Sequence, residues 1–513
     1  MLVLLGLVTL FIADVLPPDV VAMSSALALW ATGVLDADQV VAGFGNPTVI
    51  FVASLLVVAA ALDASGVTAW AGRGLIGHAG DSSRRLTITI MVMCAGLTSI
   101  ITVHGAVAAL IPVAVVAGMQ AGVPASRLLL PMAFAAHAGA MLTLTGSQIN
   151  IIYSEAAHDA GAGGFGFFEY SLVGIPLVAG TVAIVALFGE RLLPNRTPAQ
   201  RAVDYSDHGA VLAEHYEIDD AAAKLFERET GTVEVVVPPR STLIGTTVHA
   251  GMATQRGNIV AVVVHRNGHA DFSGETVLAA GDVLLVRGDW RTLADELSVS
   301  DVLVVDDPDD VRRHAVPWGR GAARTVGIVI GMVVLLVAGV TPAVAGLLAA
   351  GTLVVSGVLT VDEAYRGVNW TTIVLIAGMI PLSTAMTRSG AADDLAAAIT
   401  KIVDDGGPYL LLVVLFVVVA ALGQLMSNTA TALIVIPVAL AAAADLDVSV
   451  RPVLMSLNTV NVAALLTPVA TAANTMVLRP GGYRFGDYAR LGVPLLSWWF
   501  VIAVGLVPLI WGF

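Results

Sequence analysis

The chain has 513 residues, of which 57% are hydrophobic and only 12% charged, and its formal net charge is −14. Soluble domains carry about 25% charged residues, so this composition predicts an all-α polytopic membrane protein. The acidic balance argues against nucleic acid as a partner, because a basic binding surface is missing. The single cysteine, Cys94, excludes a disulfide within the chain.

The first half, residues 1–201, contains apolar segments long enough to enter a membrane. Helices are predicted at about 1–16, 19–35, 46–64, 126–157 and 170–190. A further apolar stretch, 86–119, is interrupted by polar residues and glycine at 102–105, which predicts a re-entrant hairpin because about 20 residues already span the bilayer core. The helix over 126–157 is interrupted at 143–150. The first helix lacks a basic start, so we expect it to be retained rather than cleaved as a signal peptide.

A hydrophilic insert, residues 202–310, follows the first half. It begins with an acidic helical pattern between Asp204 and Asp220. Valine-rich segments predict strands, with turn sequences between them; the strands lie at 233–237, 259–264 and 283–286 and the turns at 266–268 and 280–282. The insert is therefore predicted to be a small α+β domain.

The second half, residues 311–513, repeats the order of the first. Helices are predicted at about 325–340, 341–357, 369–387 and 490–512. A hairpin over 408–441 is interrupted at 427–429, and the helix after it is interrupted at 467–474. The chain would then cross the membrane about ten times and carry a hairpin in each half.

The sequences of the two halves match at several points. Thr143–Asn150 overlays Thr467–Asn474 at an offset of 324 residues, and Asn46-Pro47-Thr48 overlays Asn369-Trp370-Thr371 at an offset of 323. Such constant offsets indicate a duplicated membrane protein, and paired broken helices are typical of a transport site near the bilayer midplane.

The two hairpin tips do not match completely. The second tip reads Ser427-Asn428-Thr429, and the first reads Thr102-Val103-His104-Gly105. If Pro112 is aligned with Pro437, Val103 takes the asparagine position; if the flanking offset of 324 is kept, His104 takes it. In either alignment the first tip lacks a side-chain amide.

Charged residues orient the two halves. By the positive-inside rule, the loops predicted to be cytoplasmic contain Arg73, Arg84, Arg85, Arg191, Arg196, Arg201, Arg312, Arg313, Arg320 and Arg324. Residues 388–407 correspond to 65–85 but carry acidic residues, so they are predicted to form an external loop; these are Asp393, Asp394, Asp404 and Asp405. Equivalent segments on opposite faces imply inverted repeats, a cytoplasmic insert and external termini.

Two sets of residues resemble known families. Ser427-Asn428-Thr429, the Thr-Pro-x-x-Thr-x-x-Asn segment at 467–474 and the run Gly43–Thr48 resemble the divalent anion:sodium symporter family of the ion transporter superfamily. This resemblance covers both membrane halves. Val237–Gly245 and Leu278–Leu284 resemble the C-terminal regulatory domain of TrkA-type potassium-uptake regulators, which recurs in bacterial members of that family.

The first resemblance implies an elevator-type permease, expected as a homodimer, with two sodium sites and an anion held between the tips. The implied second sodium site contains Ser427, Asn428, Thr429, Thr467, Ala470, Thr471 and Asn474. The implied first sodium site contains Thr102, His104, Gly105, Thr143, Gly146, Ser147 and Asn150. The implied substrate contacts are Thr102, His104, Gly105, Ser427, Asn428 and Thr429. The altered first tip departs from the family pattern.

The chemistry of the tips agrees with that role. No Lys or Arg lies within 102–105, 143–150, 427–429 or 467–474. An anion must then be held by helix N-termini, hydroxyls, amides and a bound cation, whereas carbonyl ends and Ser/Thr/Asn oxygens suit a hard cation. Anion binding that depends on sodium follows from this arrangement.

Other polar residues have two interpretations each. The His104 imidazole could bind an anion or couple transport to protons, or it could only hydrogen-bond a backbone carbonyl. His137 is favoured as structural. Gln148 could replace the lost amide, and Gln424 is interpreted as a packing residue near the tip.

The favoured function is sodium-coupled secondary transport of a divalent anion, such as sulfate or a dicarboxylate, across the cell membrane. The alternatives are an arsenite-like anion exporter, a sodium/proton antiporter, or a membrane anion sensor that signals through the insert. The coupling ion is expected to be Na⁺, with a proton as the alternative; a small-molecule regulator is expected at the insert. No nucleophile motif or phosphate-binding loop is present, so neither an enzyme nor an organic cofactor is predicted.

Overall fold

The computed structural model describes residues 2–13, 15–68, 70, 82–196, 230–249, 252, 259–266, 269–271, 275–290, 292–293, 297, 302–305, 321–403 and 406–513. The chain divides into two compact units. One unit comprises residues 1–62, 71–202 and 324–513 and is helical; the other comprises 63–70 and 203–323 and contains the strands. The predicted fold class, a helical membrane protein with a small inserted unit that contains strands, is confirmed.

The first half of the helical unit contains nine helices among its described residues. They are α1 (Leu2–Ala13), α2 (Pro18–Ala31), α3 (Ala37–Val41), α4 (Pro47–Ala64), α5 (Ser83–Thr98), α6 (Val103–Gln120), α7 (Leu129–Gly139), α8 (Gln148–Asp159) and α9 (Ser171–Leu192). The predicted hairpin corresponds to α5 and α6, and the predicted broken helix corresponds to α7 and α8. Short 3₁₀ turns at Ala140–Leu142 and Leu144–Gly146 fill the break.

The second half repeats this order. Its helices are α10 (Ala322–Val337), α11 (Pro342–Val355), α12 (Val361–Gly367), α13 (Trp370–Arg388), α14 (Ala391–Val403), α15 (Gly407–Leu422), α16 (Asn428–Asp445), α17 (Val450–Val462), α18 (Ala472–Leu478), α19 (Phe485–Phe500) and α20 (Val507–Trp511). A π-helical segment, Val501–Leu506, joins the last two, and the Ser456 hydroxyl donates to the Ala503 carbonyl there at 2.6 Å. The hairpin is α15 and α16, and the broken helix is α17 and α18.

One predicted loop is a helix. Residues 388–407 contain α14, whose Ala391, Ala392 and Ala396 are buried while Asp393 and Asp394 lie in its first turn. Its charge pattern suggested a loop, but acidic residues at a helix N-terminus interact favourably with the helix dipole. Alanine is also the strongest helix former.

The number of spanning helices differs from the predicted ten. In the described part of the chain, six helices are long and apolar enough to cross a membrane, or seven if the bent pair α14–α15 counts as one span. Helices such as α1 and α11 have 12 and 14 residues. At 1.5 Å per residue, each falls short of a hydrocarbon core of about 30 Å.

Close backbone contacts hold these helices together. α13 packs against α2 and against the turn Ala42–Gly45, where a Cβ on Gly43 would lie 1.9 Å from the Ala377 carbonyl oxygen. α9 packs against α19, and the Trp498 indole donates to the Pro176 carbonyl at 3.1 Å. The helices that follow the broken helices of the two halves are therefore in direct contact.

The inserted unit contains an antiparallel sheet in the order β4-β3-β6-β1-β7 and a separate pair, β2-β5. The strands are β1 (Thr230–Val236), β2 (Thr247–Val248), β3 (Ile259–Arg266), β4 (His269–Asp271), β5 (Thr276–Val277), β6 (Val283–Asp289) and β7 (Leu303–Val304). Val233, Val235, Leu284 and Trp290 lie in its core. The turn before β6 requires Gly281, whose φ is +89°.

Some predictions lie outside the described residues. They are the acidic helical pattern from Asp204 to Asp220, part of the turn at 266–268, and the charged residues Arg73, Arg201, Arg312, Arg313, Arg320, Asp404 and Asp405.

Candidate functional site

Each hairpin tip is the capped start of a helix. The Ser427 hydroxyl caps α16 by accepting from the Ala430 amide at 3.3 Å, and the Thr102 hydroxyl caps α6 by accepting from the Gly105 amide at 3.2 Å. Helix caps are fixed structural points, so Thr102 is equivalent to Ser427. The proline-based alignment therefore describes the structure: Val103 takes the asparagine position, and His104 takes that of Thr429.

In each helix break, an asparagine side chain donates hydrogen bonds to backbone carbonyls of the break. The Asn150 amide donates to the carbonyls of Ala140 and Thr143 at 2.7 and 2.9 Å. The Asn474 amide donates to the carbonyls of Ala464 and Thr467 at 2.7 and 3.0 Å. Both asparagines are fully buried. These bonds satisfy carbonyls that a broken helix would otherwise leave unpaired.

A tyrosine farther along each half, just before α9 or within α19, bonds the same asparagine. The Tyr170 hydroxyl donates to the Asn150 carbonyl at 2.7 Å, and the Tyr488 hydroxyl donates to the Asn474 carbonyl at 2.6 Å. Sequence analysis missed both tyrosines. In both halves the Tyr lies four residues before a matching Gly-x-Pro-Leu sequence, which begins at Gly174 and Gly492. Its distance from the break asparagine differs, at 20 residues in the first half and 14 in the second, so the sequence did not identify the contact.

The side-chain oxygens of the two asparagines reach across the halves. Asn150 Oδ1 accepts from the Asn458 amide of α17 at 3.1 Å. Asn474 Oδ1 lies 3.2 Å from His137 Nε2 of α7, and that nitrogen is also 3.4 Å from the Thr471 hydroxyl. His137 is thus a structural bridge. Asn458, which sequence analysis missed, makes the corresponding contact with Asn150 from the other half.

The second tip and the second break contain oxygen acceptors without donors. Among the described residues, Asn428 Oδ1 and Thr467 Oγ1 are buried and have no hydrogen-bond partner. The Asn461 amide donates to the Asn428 carbonyl at 2.9 Å and joins the tip to α17. Ala470 is buried in the same break. Unpaired oxygens of this kind are suited to a hard cation such as Na⁺.

The first tip and the first break are poorer in free acceptors. Val103 has no polar side-chain atom, and the Thr143 hydroxyl is held in place by donating to the Ser99 carbonyl at 2.5 Å. Ser147 caps α8 by accepting from the Ile149 amide at 3.2 Å. Gly146 allows close packing, because a Cβ there would lie 2.5 Å from the Ala140 carbonyl oxygen. The two predicted cation sites therefore differ.

Each hairpin packs against the broken helix of the other half. α16 contacts α8, and α6 contacts α18. Gln148 Nε2 donates to the Thr429 hydroxyl at 3.1 Å. His104 is exposed at the start of α6. Gln424 Oε1 is buried without a partner among the described residues, one turn before the second tip.

A family model described as "CitMHS: Citrate transporter" matches residues 8–459 and 405–513. The chain belongs to this family. It is therefore a transporter and a multi-pass membrane protein, and the prediction that it is not an enzyme is confirmed.

Several relatives carry transporter names. An uncharacterized transporter of Escherichia coli, YfbS, is 27% identical over 99% of this chain and 98% of its own length. A probable sodium/sulfate cotransporter of Chlamydomonas reinhardtii is 26% identical over 58% of this chain and 34% of its own length. The crystal structure of the YdaH transporter of Alcanivorax borkumensis has a TM-score of 0.53 at 14% identity and covers 99% of this chain and 98% of its own, which shows a shared fold.

Proposed function

We propose that this protein is a sodium-coupled secondary transporter that moves a small divalent anion, such as sulfate or a dicarboxylate, by an elevator-type movement. The observation that carries the proposal is the pair of unpaired buried oxygens, Asn428 Oδ1 in the second hairpin tip and Thr467 Oγ1 in the second helix break. The Asn461 amide, near the end of the helix that leads into this break, bonds the Asn428 carbonyl. A cation coordinated by these oxygens would supply the positive charge that the tips lack.

The second sodium site would use the tip and the break together. Its ligands would come from Ser427, Asn428, Thr429, Thr467, Ala470, Thr471 and Asn474, as carbonyl, hydroxyl or amide oxygens. The first site would use Thr102, Thr143, Gly146, Ser147 and Asn150 and would bind sodium more weakly, because Val103 replaces the asparagine and the Ser147 hydroxyl already accepts from the Ile149 amide.

The anion would lie between the tips. Each tip begins a helix, so its amide N–H groups and the positive end of the helix dipole favour a negative group. The contacts would come from Thr102, His104, Gly105, Ser427, Asn428 and Thr429. With no Lys or Arg at the tips or breaks, anion affinity would require bound sodium.

The inserted unit would regulate transport. Residues 202–310 would form the cytoplasmic TrkA-C-like domain between membrane repeats 1–201 and 311–513, and it would bind a small-molecule regulator. We expect a homodimer. These assignments rest on the family resemblance and on the antiparallel sheet of the insert.

A sensor is the second candidate. A putative sulfur deprivation response regulator of Chlamydomonas reinhardtii is 24% identical over 97% of this chain and 98% of its own length. A protein that binds an anion and signals without turnover would tolerate the altered first tip. It would bind sulfate without accumulating it.

Uptake by purified protein in proteoliposomes tests the proposal. Labelled sulfate, succinate and citrate would each be offered under an inward sodium gradient and then under a proton gradient. Sodium-driven accumulation of one anion supports the symporter. Sodium-independent accumulation under the proton gradient would identify the proton, and not sodium, as the coupling ion. Saturable binding without uptake would favour the sensor.

Asn428→Ala tests the sodium site itself. We expect loss of sodium-dependent anion binding with folded protein retained, because the substitution removes an unpaired oxygen rather than a hydrogen-bonded one. Asn369→Ala is the matched control, since Asn369 is an exposed helix cap that accepts from the Thr372 amide at 3.1 Å. Unchanged sodium dependence in Asn428→Ala would remove the assignment.

A further inference from the structure

Gln148 and Ala472 are the sharpest difference between the two helix breaks. Each is the first residue of the helix that follows the break, after the caps Ser147 and Thr471. Gln148 bonds the hairpin tip of the other half through Thr429, whereas Ala472 is an exposed residue at the start of α18, the helix that contacts α6. One half therefore presents a long amide side chain where the other presents a methyl group.

The Gln148 side chain joins two separate parts of the candidate site. It is half-buried and pairs with the Thr429 hydroxyl of the second tip at 3.1 Å. It also lines a small cleft together with Thr102 of the first tip and Thr145 of the first break. The opposite wall is apolar and comes from α4, through Val52, Leu55, Leu56 and Ala59.

The Gln148 amide can bond Thr429 in either of its two orientations, which leaves a polar group for the cleft in both. The Thr429 hydroxyl both donates and accepts, so it can pair with either end of the amide. In the structure Nε2 donates to Thr429. In the reversed orientation Oε1 would accept from Thr429, and both Nε2 hydrogens would be free to bind an oxyanion. The first tip lacks such a donor, because Val103 occupies the position that Asn428 holds in the second tip.

We propose that Gln148 contacts the oxyanion group of the substrate, a carboxylate or a sulfate, and so replaces the amide missing from the first hairpin tip. The proposal rests on the proposed function and names a specificity-determining residue within it. Ala472 leaves the equivalent position in the other half without this group, so the anion would be bound asymmetrically between the halves.

The test compares Gln148→Ala, Gln148→Glu and the double variant Gln148→Ala with Val103→Asn. Labelled sulfate, succinate and citrate uptake would be measured in proteoliposomes, with sodium half-saturation determined at saturating anion. We expect Gln148→Ala to raise the anion KM by roughly 10- to 100-fold, as for loss of a hydrogen bond to a charged group. Its sodium half-saturation should stay unchanged.

The other two variants separate substrate contact from packing. Gln148→Glu keeps the size of the side chain but removes the donor and adds a negative charge. The anion KM of this variant should therefore rise at least as much as that of Gln148→Ala. Val103→Asn should restore a large part of the lost affinity in the Gln148→Ala background. The anion whose KM responds most identifies whether carboxylate or sulfate is bound.

Several results would overturn the inference. An unchanged KM in both single variants would exclude contact with the anion. A raised KM that Val103→Asn does not restore would assign Gln148 to packing alone. If wild-type protein accumulates no anion, the proposed function fails and the inference falls with it; if wild type is active and Gln148→Ala matches it, only the inference fails.

Discussion

Asn150 and Asn474 make the same pair of hydrogen bonds in the two halves of the protein. Each amide donates to a carbonyl ten residues before it and to another seven residues before it. Each side-chain oxygen then meets a residue of the opposite half, Asn458 or His137. Each break is therefore held by specific hydrogen bonds both within its own half and to the opposite half.

Replacing either asparagine should destabilise the protein strongly. Asn474→Ala leaves the Ala464 and Thr467 carbonyls without their donor, and Asn150→Ala does the same for Ala140 and Thr143. We expect a loss of roughly 2–4 kcal/mol in each case. Thermal unfolding in detergent measures it, with Asn369→Ala as an exposed control. Equal stability of all three variants would contradict the role of the amides.

Gly492→Ala should displace the second break. A Cβ at Gly492 would lie 2.0 Å from the Leu465 carbonyl oxygen, which cannot move without disturbing the turn that Asn474 holds. We expect reduced yield of monodisperse protein and weaker sodium activation of transport. Gly486→Ala is the control in the same helix, because nothing lies within 4 Å of its added Cβ. If Gly492→Ala has the yield and sodium activation of wild type, the close contact between α19 and the Leu465 carbonyl is not required for the second break.

Glu169 should make stability depend on pH. Burial alone raises the pKa of its carboxyl, but donors from the Gly166 amide at 2.8 Å, the Trp511 indole at 2.6 Å and the Arg451 guanidinium outweigh burial and hold the pKa below its usual value. This carboxylate therefore stabilises the fold above the unfolded pKa of about 4.3. The contribution disappears as pH falls through the lower folded pKa.

The matching variant is Glu169→Gln. At neutral pH we expect it to lose about 1 kcal/mol, because the Glu169–Arg451 pair is partly exposed and screened. The difference from wild type should shrink as pH falls below about 4. Unfolding midpoints between pH 3 and 7 measure this, with the exposed Asp38→Asn as the control for surface charge. A constant difference over that range would refute the electrostatic origin.

His104→Thr should change the anion preference without unfolding the protein. His104 is exposed and occupies the position of Thr429, so threonine gives the first tip the residue that the second tip already has. We expect the KM ratio between sulfate and succinate to shift in proteoliposome uptake, while the unfolding temperature stays close to that of wild type. An unchanged ratio would assign His104 a structural role.

The hairpins and breaks could be predicted from the sequence because polar residues at membrane depth are costly without a partner. The alignment of the first tip with the second could not be predicted. The hydrogen bond from the Gly105 amide to the Thr102 hydroxyl, seen only in the structure, decides whether Val103 or His104 takes the asparagine position. The helix α14 was missed because its charges were given more weight than its alanines.

The contacts between the two halves could not be predicted from the sequence either. Asn458 and Asn150 are 308 residues apart, and His137 and Asn474 are 337 apart. Their pairing depends on how α7 and α17 lie beside the breaks. A single sequence contains no record of that arrangement.

The cross-pairing also bears on the history of the chain. The residue equivalent to Asn458 in the first half is Phe134 at the same offset of 324, and it has no hydrogen-bond donor in its side chain. The first half serves the opposite asparagine from His137 instead, whose equivalent in the second half is Asn461, three residues after Asn458. After duplication, the two halves therefore came to fill the same role with different side chains at different positions.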